Sequence, residues 1–278
     1  MKVSVIDTGF FKLDGGAMFG IVPRRIWQRL NAPDDNNLCS WAMRCLLIES
    51  GDRKILVDTG LGDKQDAKFR SFFEPHGEAS LMGSLANKGI SPEEITDVFL
   101  THLHFDHCGG ALGKDGLPAF PNATYWSNEV HFRWAENPNL KEKASFLPEN
   151  FVPLKNSGQI RYLDLQRDPY EWLPGLSVQF VNGHTEAMMV LHIDAPQRRL
   201  VYCADLIPSS FHLSLPYIMS YDVRPMNTLA EKTALLEEGF EKGWGLIFEH
   251  DPRTECCTLQ RSESGRIVAD LSGKLELC

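Results

Sequence analysis

Three histidines and one aspartate lie within six consecutive positions near the middle of the chain. Residues 101–110 read Thr-His-Leu-His-Phe-Asp-His-Cys-Gly-Gly, which groups His102, His104, Asp106 and His107. Imidazole and carboxylate groups are ligands that Zn²⁺ and similar divalent ions favour. Core packing gives no reason for such a density of polar side chains. The cluster therefore predicts a metal site.

The spacing within the cluster predicts how its side chains are divided. In an extended segment, residues i, i+2 and i+4 point to the same side. His102, His104 and Asp106 are therefore expected to converge, while His107 turns to the other side. The glycine pair at 109–110 allows the backbone to fold tightly behind them. We expect this one stretch to serve two adjacent metal ions.

The segment before the cluster indicates what holds it in place. Residues 96–101 are apolar residues bounded by polar ones, a pattern typical of a buried strand. Residues 91–94, Ser-Pro-Glu-Glu, form a capping-box pattern with proline at the first helical position. The cluster is thus expected where a strand runs out into a loop, a frequent place for chemistry on a rigid scaffold.

Four grouped side chains cannot complete the coordination of two metal ions, and three further candidates follow in the chain. His184, Asp205 and His250 each stand just beyond an apolar, strand-like run. The same arrangement repeated along the chain predicts that all seven residues meet. Three isolated histidines are instead expected to be surface or hydrogen-bonded residues: His76, His131 and His192.

This succession of motifs, HxHxDH, then GH, then an aspartate and a histidine at strand ends, resembles the metallo-β-lactamase superfamily. Residues 55–60, Ile-Leu-Val-Asp-Thr-Gly, are similar to an earlier motif of that family. The resemblance implies an α/β (α+β) fold, a four-layer αββα sandwich, with residues 1–278 as one domain. Residues 13–20, 121–123 and 204–222 further resemble the quorum-quenching lactonase branch.

The resemblance also implies a role for each site residue. One ion would be held by His102, His104 and His184, and the second by Asp106, His107 and His250, with Asp205 bridging both. Asp58 would steady the metal loop from behind without binding metal. Two Zn²⁺ ions are the expected cofactors, although Fe, Mn and Co also suit a set of five histidines and two aspartates.

Such a pair of ions predicts hydrolysis. Two divalent ions about 3.5–4 Å apart hold a bridging water as hydroxide near neutral pH, which attacks a carbonyl or phosphoryl group that one ion polarises. Asp106 is the expected catalytic residue, because a carboxylate bound through one oxygen keeps the other for a proton. The chain has no G-x-S-x-G motif, so covalent acyl transfer is not expected.

The resemblance favours a small-molecule lactone as substrate, such as an N-acyl-homoserine lactone. The best-studied lactonases of this type carry a tyrosine three residues after the bridging aspartate, where this chain has Pro208. His212, Tyr217 and Tyr221 are candidates to replace its hydrogen bond. Apolar residues near the site are expected either to wall a pocket for an acyl tail or to pack the core. The candidate substrate-binding residues are Met18, Phe19, Trp27, Phe105, His212 and Tyr217.

Other functions remain open at this point. An organophosphate triester would be polarised by the same two ions. A glutathione thioester hydrolase would need basic residues near the C-terminus, where Lys274 stands alone. A β-lactamase is disfavoured because no secretion signal is apparent and because Asp106 gives the first motif a fourth ligand. A catalytically inactive metal-binding protein is disfavoured because all seven ligands are present.

The bulk composition excludes several classes of partner. A net charge of −9 over 278 residues argues against nucleic-acid binding. No apolar run of 18 residues is present, so no membrane span is expected. The seven cysteines, with no CxxC, suit free thiols in the cytoplasm, and Cys108 is expected to be a small buried side chain. An exposed apolar N-terminal segment would permit a homodimer.

The hydrophobic patterns predict a protein rich in both strands and helices. Strands are expected near residues 2–7, 18–22, 41–49, 53–58, 96–101, 160–164, 177–181, 188–194, 199–204, 244–249, 257–261 and 266–271. Helices are expected near residues 79–88, 127–136, 140–147 and 228–241.

Overall fold

A computed structural model describes residues 1–166 and 169–272, and within these ranges the chain folds into two β-sheets with helices outside them. Lys274, named above for the glutathione thioester alternative, and the last cysteine, Cys278, lie outside the described residues. The strands are β1 (Lys2–Asp14), β2 (Leu38–Ser50), β3 (Arg53–Val57), β4 (Asp97–Phe99), β5 (Thr124–Asn128), β6 (Ile160–Leu163), β7 (Tyr170–Leu173), β8 (Leu176–Val181), β9 (Met188–Asp194), β10 (Arg199–Tyr202), β11 (Gly245–Ile247), β12 (Cys256–Arg261) and β13 (Ile267–Asp270). The helices are α1 (Gly15–Phe19), α2 (Arg24–Trp27), α3 (Ala67–Phe73), α4 (Leu81–Asn87), α5 (Phe105–Cys108), α6 (Glu129–Glu136), α7 (Val152–Ser157) and α8 (Pro225–Lys242).

Each sheet is mixed. The described strands of the first run in the order β1-β2-β3-β4-β5-β6, antiparallel from β1 to β3 and parallel from β3 to β6. Those of the second run in the order β13-β12-β11-β10-β9-β8-β7, with the β10–β11 pair parallel. Parallel neighbours place their carboxyl ends at one edge of a sheet, so the residues that follow β4 and β10 emerge where ligand sites are common.

The alternation of side chains along β2 shows how the sheets stack. Leu46 and Ile48 are fully buried against residues of the second sheet, such as Val178. Cys45 and Leu47 point to the opposite face and pack in a separate apolar cluster. Because successive residues of a strand face opposite sides, both faces of this sheet are covered, one by the other sheet.

Helices close the two outer faces. Leu81 and Leu85 of α4, Phe132 of α6 and Leu154 of α7 belong to the cluster on the outer face of the first sheet. Leu235 and its neighbour in α8 belong to the core on the other side, where α8 contacts β12 and β13. The order helix, sheet, sheet, helix confirms the predicted αββα sandwich.

Two predicted elements are wrong. Residues 18–22, expected as a strand, form the end of α1 and the turn that follows it, because the Asp14 side chain accepts a hydrogen bond from Ala17 N and starts a helical turn. Residues 140–147, expected as a helix, form irregular turns. Asn139 Oδ1 accepts hydrogen bonds from Lys141 N and Glu142 N, a local pattern that competes with helix.

Several elements carry no clear sequence signal. Strand β5 occupies the start of the predicted helix at 127–136, and α6 begins only at Glu129, where Asn128 Oδ1 caps His131 N. Strand β7 and helices α3 and α7 were not predicted. Within residues 1–166 and 169–272, no helix is long and apolar enough to cross a bilayer.

Candidate metal centre

The histidine-rich stretch leaves the end of β4 and changes conformation halfway. His104 is extended, with φ −66° and ψ 153°, and then α5 makes one helical turn. Asp106 and His107 are therefore adjacent residues of a helix and do not continue an alternating strand. The expectation that Asp106 points with His102 and His104 is wrong, because the turn rotates it towards His107 and His250.

The first group of candidate ligands combines four buried residues from three parts of the chain. His104 Nδ1 lies 3.0 Å from His102 Nε2 and 3.1 Å from His184 Nε2. Asp205 Oδ2 lies 3.2 Å from His184 Nε2. One atom from each residue lies within 4.8 Å of the others, as ligands of one cation must.

The second group contains Asp106, His107 and His250. The Nε2 atoms of His107 and His250 are 3.3 Å apart, and Asp106 Oδ2 is 3.7 Å from each of them. Asp205 Oδ1 lies 3.1 Å from His250 Nε2, so its two oxygens face the two groups. The structure thus brings the seven predicted residues together, with Asp205 between the groups.

The donor set suits divalent cations. Two imidazole nitrogens on one tetrahedral zinc stand about 3.3 Å apart when each bond is 2.0–2.1 Å. The separations of 3.0–3.3 Å between facing nitrogens are close to this value. Asp205 Oδ1 is buried without a hydrogen bond among the described residues. Nitrogen atoms and a carboxylate oxygen that converge in this way are explained by cations that accept their lone pairs.

The charges of the site favour positive charge at this place. Burial opposes ionisation of Asp205, but His250, His184 and His107 hold its pKa well below the ordinary value. Burial likewise lowers the pKa of His250, yet Asp205 outweighs it and raises that pKa to about 9. Burial and the neighbouring histidines lower the pKa of His102, which keeps its imidazole neutral, as a metal ligand must be.

Three of the candidate histidines are also held from behind. His184 Nδ1 lies 2.8 Å from Asp222 Oδ1, and His250 Nδ1 lies 2.7 Å from the Ala42 carbonyl oxygen. His102 Nδ1 lies 3.0 Å from Thr101 Oγ1. Partners of this kind fix the ring orientation and the tautomer of a metal-binding histidine.

Three carboxylates around the centre were not singled out from the sequence. Asp222 holds His184, Glu142 Oε1 lies 3.7 Å from His104 Nε2, and Glu249 lies beside His107. Asp222 lies in a segment with a resemblance to lactonases, but nothing marks it as a partner of a histidine. Glu142 falls in the segment mispredicted as a helix, which hid its inward direction.

Asp58 lies where it was expected, behind the histidine-rich stretch. It follows β3 with φ +56°, a left-handed conformation that aspartate tolerates. Its Oδ1 accepts a hydrogen bond from Thr101 N at 2.8 Å, and its Oδ2 accepts one from Thr101 Oγ1 at 2.7 Å. The same Oδ2 lies 3.2 Å from His107 Nδ1. Asp58 therefore ties both ends of the stretch together.

The glycine pair after the cluster is needed for close approach. A Cβ on Gly109 would lie 2.0 Å from the Leu61 carbonyl oxygen, and one on Gly110 would lie 2.4 Å from that of Thr59. Gly109 has φ −60°, an ordinary value, so the requirement is space and not backbone conformation. The pair lets the Asp58 loop pack directly against the metal loop.

The candidate pocket residues form a compact apolar cluster beside the centre. Phe19 stacks on Trp27 and on His212, with ring centroids 5.3 Å apart in both pairs. Met18, Phe19 and Trp27 are almost fully buried, and Phe105 packs against Phe69 and Phe73. Phe11 of the same cluster lies against the centre, with its ring centroid 5.5 Å from that of His250.

The three candidates for the missing tyrosine differ in how they are engaged. His212 is buried, with Nδ1 2.7 Å from Ser209 Oγ and Nε2 2.9 Å from the Met18 carbonyl oxygen. Tyr217 packs its ring edge against Phe19 and lines a separate groove beside α8 and β13. Tyr221 precedes Asp222, and its hydroxyl makes no hydrogen bond within the described part of the chain. Burial and the carboxylates of Asp14, Asp106 and Asp205 raise its pKa.

The three isolated histidines that were expected not to bind metal lie outside both groups. His131 Nε2 accepts a hydrogen bond from Leu103 N at 2.9 Å, and its Nδ1 donates to the Glu186 carbonyl oxygen. His76 and His192 are outside the described metal groups. Cys108 is buried, with its Sγ 3.3 Å from the Leu103 carbonyl oxygen, as a structural thiol would be.

Comparison with known proteins agrees with this geometry. The sequence profile described as "Metallo-beta-lactamase superfamily" matches residues 44–241. An N-acyl homoserine lactonase from Bacillus cereus is 24% identical over 175 residues, which cover 59% of this chain and 63% of the lactonase. The match therefore spans about three fifths of that curated relative.

Two solved structures share the fold. One is described as a probable metal-dependent hydrolase from Staphylococcus aureus, with a TM-score of 0.87, 24% identity and coverage of 97% of this chain and 96% of that one. The other is AidC, described as a dizinc quorum-quenching lactonase in complex with a product. Its TM-score is 0.81, its identity 21%, and the coverage 99% of this chain and 95% of AidC.

Proposed function

The chain belongs to the metallo-beta-lactamase superfamily, and on this basis we propose that it is a metal-dependent hydrolase that opens the ring of a lactone, in particular an N-acyl-homoserine lactone. One observation carries the two-metal part of this proposal, namely that the two oxygens of Asp205 face the two ligand groups. The match to an N-acyl homoserine lactonase supports the substrate class.

The proposed ligands follow the two groups. His102, His104 and His184 would hold one zinc ion, Asp106, His107 and His250 would hold the other, and Asp205 would contact both. When bound, two such cations supply water that ionises near neutral pH and polarise the carbonyl oxygen of the ester. Among the seven residues, the most exposed are His104, Asp106 and Asp205, at 5–7%, so substrate would approach on their side.

Asp106 is the proposed catalytic residue. Its Oδ2 lies 3.7 Å from the Nε2 atoms of His107 and His250, so Oδ2 is the oxygen proposed to bind the cation. A carboxylate held through one oxygen can accept a proton on the other and return it. In lactone hydrolysis, Asp106 would take the proton that the attacking water loses and deliver it to the departing alkoxide.

Tyr221 is the proposed substitute for the tyrosine absent at Pro208. Its hydroxyl makes no hydrogen bond to any residue that the structure describes, whereas His212 has a partner at each ring nitrogen. A raised pKa keeps the phenol protonated, so it can donate a hydrogen bond to the lactone carbonyl or to the developing oxyanion. The apolar cluster of Phe19 and Trp27 would then support the pocket for the acyl chain.

A side-by-side substrate panel tests the proposal. The zinc-loaded protein is assayed for acid release with N-acyl-homoserine lactones, simple γ-lactones, a phosphotriester and a glutathione thioester. We expect the highest kcat/KM with a lactone. A higher kcat/KM with the phosphotriester or the thioester would show that the substrate belongs to that class and is not a lactone. No turnover of any substrate by fully zinc-loaded protein would favour a metal-binding protein without this activity.

A further inference from the structure

His107 is held from behind by two carboxylates. Its Nδ1 lies 3.2 Å from Asp58 Oδ2 and 3.0 Å from Glu249 Oε2, on the side of the ring away from the candidate cation. All three side chains are essentially inaccessible to solvent. An imidazole N–H can donate one good hydrogen bond, so a second carboxylate at this distance requires its own explanation.

The backbone around Glu249 is fixed on both sides. Arg44 N donates to the Glu249 carbonyl oxygen at 3.1 Å. The Arg44 guanidinium donates to the carbonyl oxygens of Phe248 at 2.7 Å and Asp251 at 3.0 Å. The side chain is therefore directed inwards by the strand end that also presents His250. The hydrogen bonds from Arg44 to the flanking backbone therefore help to fix the direction of the Glu249 side chain.

The environment of Glu249 is poor in hydrogen-bond donors, because the neighbouring Tyr202 hydroxyl donates to the Arg44 carbonyl oxygen at 2.7 Å. Neither of its oxygens has a regular hydrogen bond among the described residues. Asp58, a second carboxylate, is in the same group of facing atoms, all within 4.8 Å of one another. Burial of two like charges is unfavourable unless positive charge lies nearby. A cation bound to Nε2 of His107 would supply that positive charge on the other side of the imidazole ring.

We propose that Glu249 is a positioning residue that, together with Asp58, holds His107 and tightens the cation on the Asp106–His107–His250 side of the centre. The inference rests on the proposed metal ligands and does not depend on the lactone substrate. A carboxylate behind an imidazole fixes the ring and makes its other nitrogen a stronger ligand. Glu249 adds a second negative charge to the one that Asp58 provides.

Competition with a chelator measures this effect directly. Wild type and Glu249→Gln are loaded with Zn²⁺ and titrated with a chromophoric chelator, which reports each zinc equivalent separately. Gln keeps the size of the side chain and removes its charge. Glu129→Gln, which removes the charge of an exposed glutamate in α6, is the matched control and should leave both steps unchanged. We expect Glu249→Gln to weaken one of the two steps about 10–100-fold and to leave the other unchanged.

A thermodynamic cycle with Asp58→Asn identifies the route. If both carboxylates act through His107, the effects of Asp58→Asn and Glu249→Gln on zinc affinity are not additive. Should Glu249→Gln fail to fold, Glu249→Asp, which draws the charge back by one methylene, is expected to weaken the same step. Unchanged affinity in a folded Glu249 variant overturns the proposal. A third zinc equivalent in wild type that Glu249→Gln loses also overturns it, because Glu249 would then be a ligand.

Discussion

The Nε2 atom of His184 lies 3.1 Å from the Nδ1 atom of His104, although the two residues are 80 positions apart in the chain. His104 follows a strand of the first sheet, whereas His184 follows β8 of the second. The contact therefore spans the two halves of the sandwich. Two buried imidazoles that aim ring nitrogens at each other indicate a shared cation, and the following predictions depend on it.

Asp205 is the residue on which both halves of the centre depend. Replacement by alanine removes the oxygens that face His184 and His250. We expect Asp205→Ala to lose bound zinc and to reduce kcat/KM by well over the roughly 100-fold that loss of an outer partner costs. Metal analysis and lactone hydrolysis measure the two effects. Asp194→Ala, at an exposed position, is the control. Wild-type activity in metal-stripped Asp205→Ala would refute the mechanism.

Asp222 acts on one ligand only. Its carboxylate holds His184 Nδ1 at 2.8 Å, so Asp222→Asn should loosen the ring without removing a ligand. We expect zinc affinity on the His102–His104–His184 side to fall about 10–100-fold. Activity should return when zinc is added in excess. Isothermal titration with Zn²⁺ checks the affinity, and unaltered binding would show that His184 is oriented by other contacts.

Tyr221 and Tyr217 provide a matched pair of substitutions. We expect Tyr221→Phe to lower kcat about tenfold, since one hydrogen bond to the transition state is worth roughly 1–1.5 kcal/mol. Tyr217→Phe should have little effect, because Tyr217 lines the separate groove beside α8. Steady-state kinetics with one lactone compare the two variants. Equal losses, or a loss confined to Tyr217→Phe, would exclude Tyr221 as the hydrogen-bond donor.

Zinc should stabilise the fold as well as the reaction. Seven buried side chains converge at the centre, and binding of a ligand to the folded state alone adds about 2.7 kcal/mol at 100 times its dissociation constant. We expect the melting temperature to fall after chelation and to recover as Zn²⁺ is titrated back. Differential scanning calorimetry measures this change. A melting temperature that does not respond to zinc would mean that the cations bind elsewhere or not at all.

His192 gives a pH dependence that is separate from the metal centre. Burial, followed by the charge of Arg199, lowers its pKa to about 4 from 6.5. Below pH 6.5 the unfolded chain therefore takes up a proton that the folded protein does not, and stability falls until about pH 4. We expect zinc-loaded His192→Gln to lose less stability than wild type across this range. Urea unfolding at several pH values tests it, and parallel curves would contradict it.

The sequence predicts which residues are candidate ligands better than it predicts how they are arranged. The seven residues were found because each follows an apolar strand, and the strands β4, β8, β10 and β11 lie in the predicted places. The family resemblance implied the division of Asp106 from His102, but strand alternation could not give it, since the division depends on a single helical turn that starts after His104. A helix of four residues, such as α5, is too short for hydrophobic periodicity to predict it.

Partners behind the ligands were largely hidden in the sequence. Asp222, Glu142 and Glu249 are scattered acidic residues, and acidic residues are usually exposed. What makes them partners is burial next to a histidine, which follows from tertiary packing. The helix α1 was mistaken for a strand because apolar residues such as Met18 and Phe19 suit either element when the segment is short.

Diffraction at the zinc absorption edge tests the central claim most directly. Crystals of the zinc-loaded protein are measured above and below the edge, and anomalous difference peaks locate the cations. We predict two peaks, one among His102, His104 and His184 and one among Asp106, His107 and His250, with Asp205 in contact with both. A single peak, or peaks away from these seven residues, would contradict the two-metal centre.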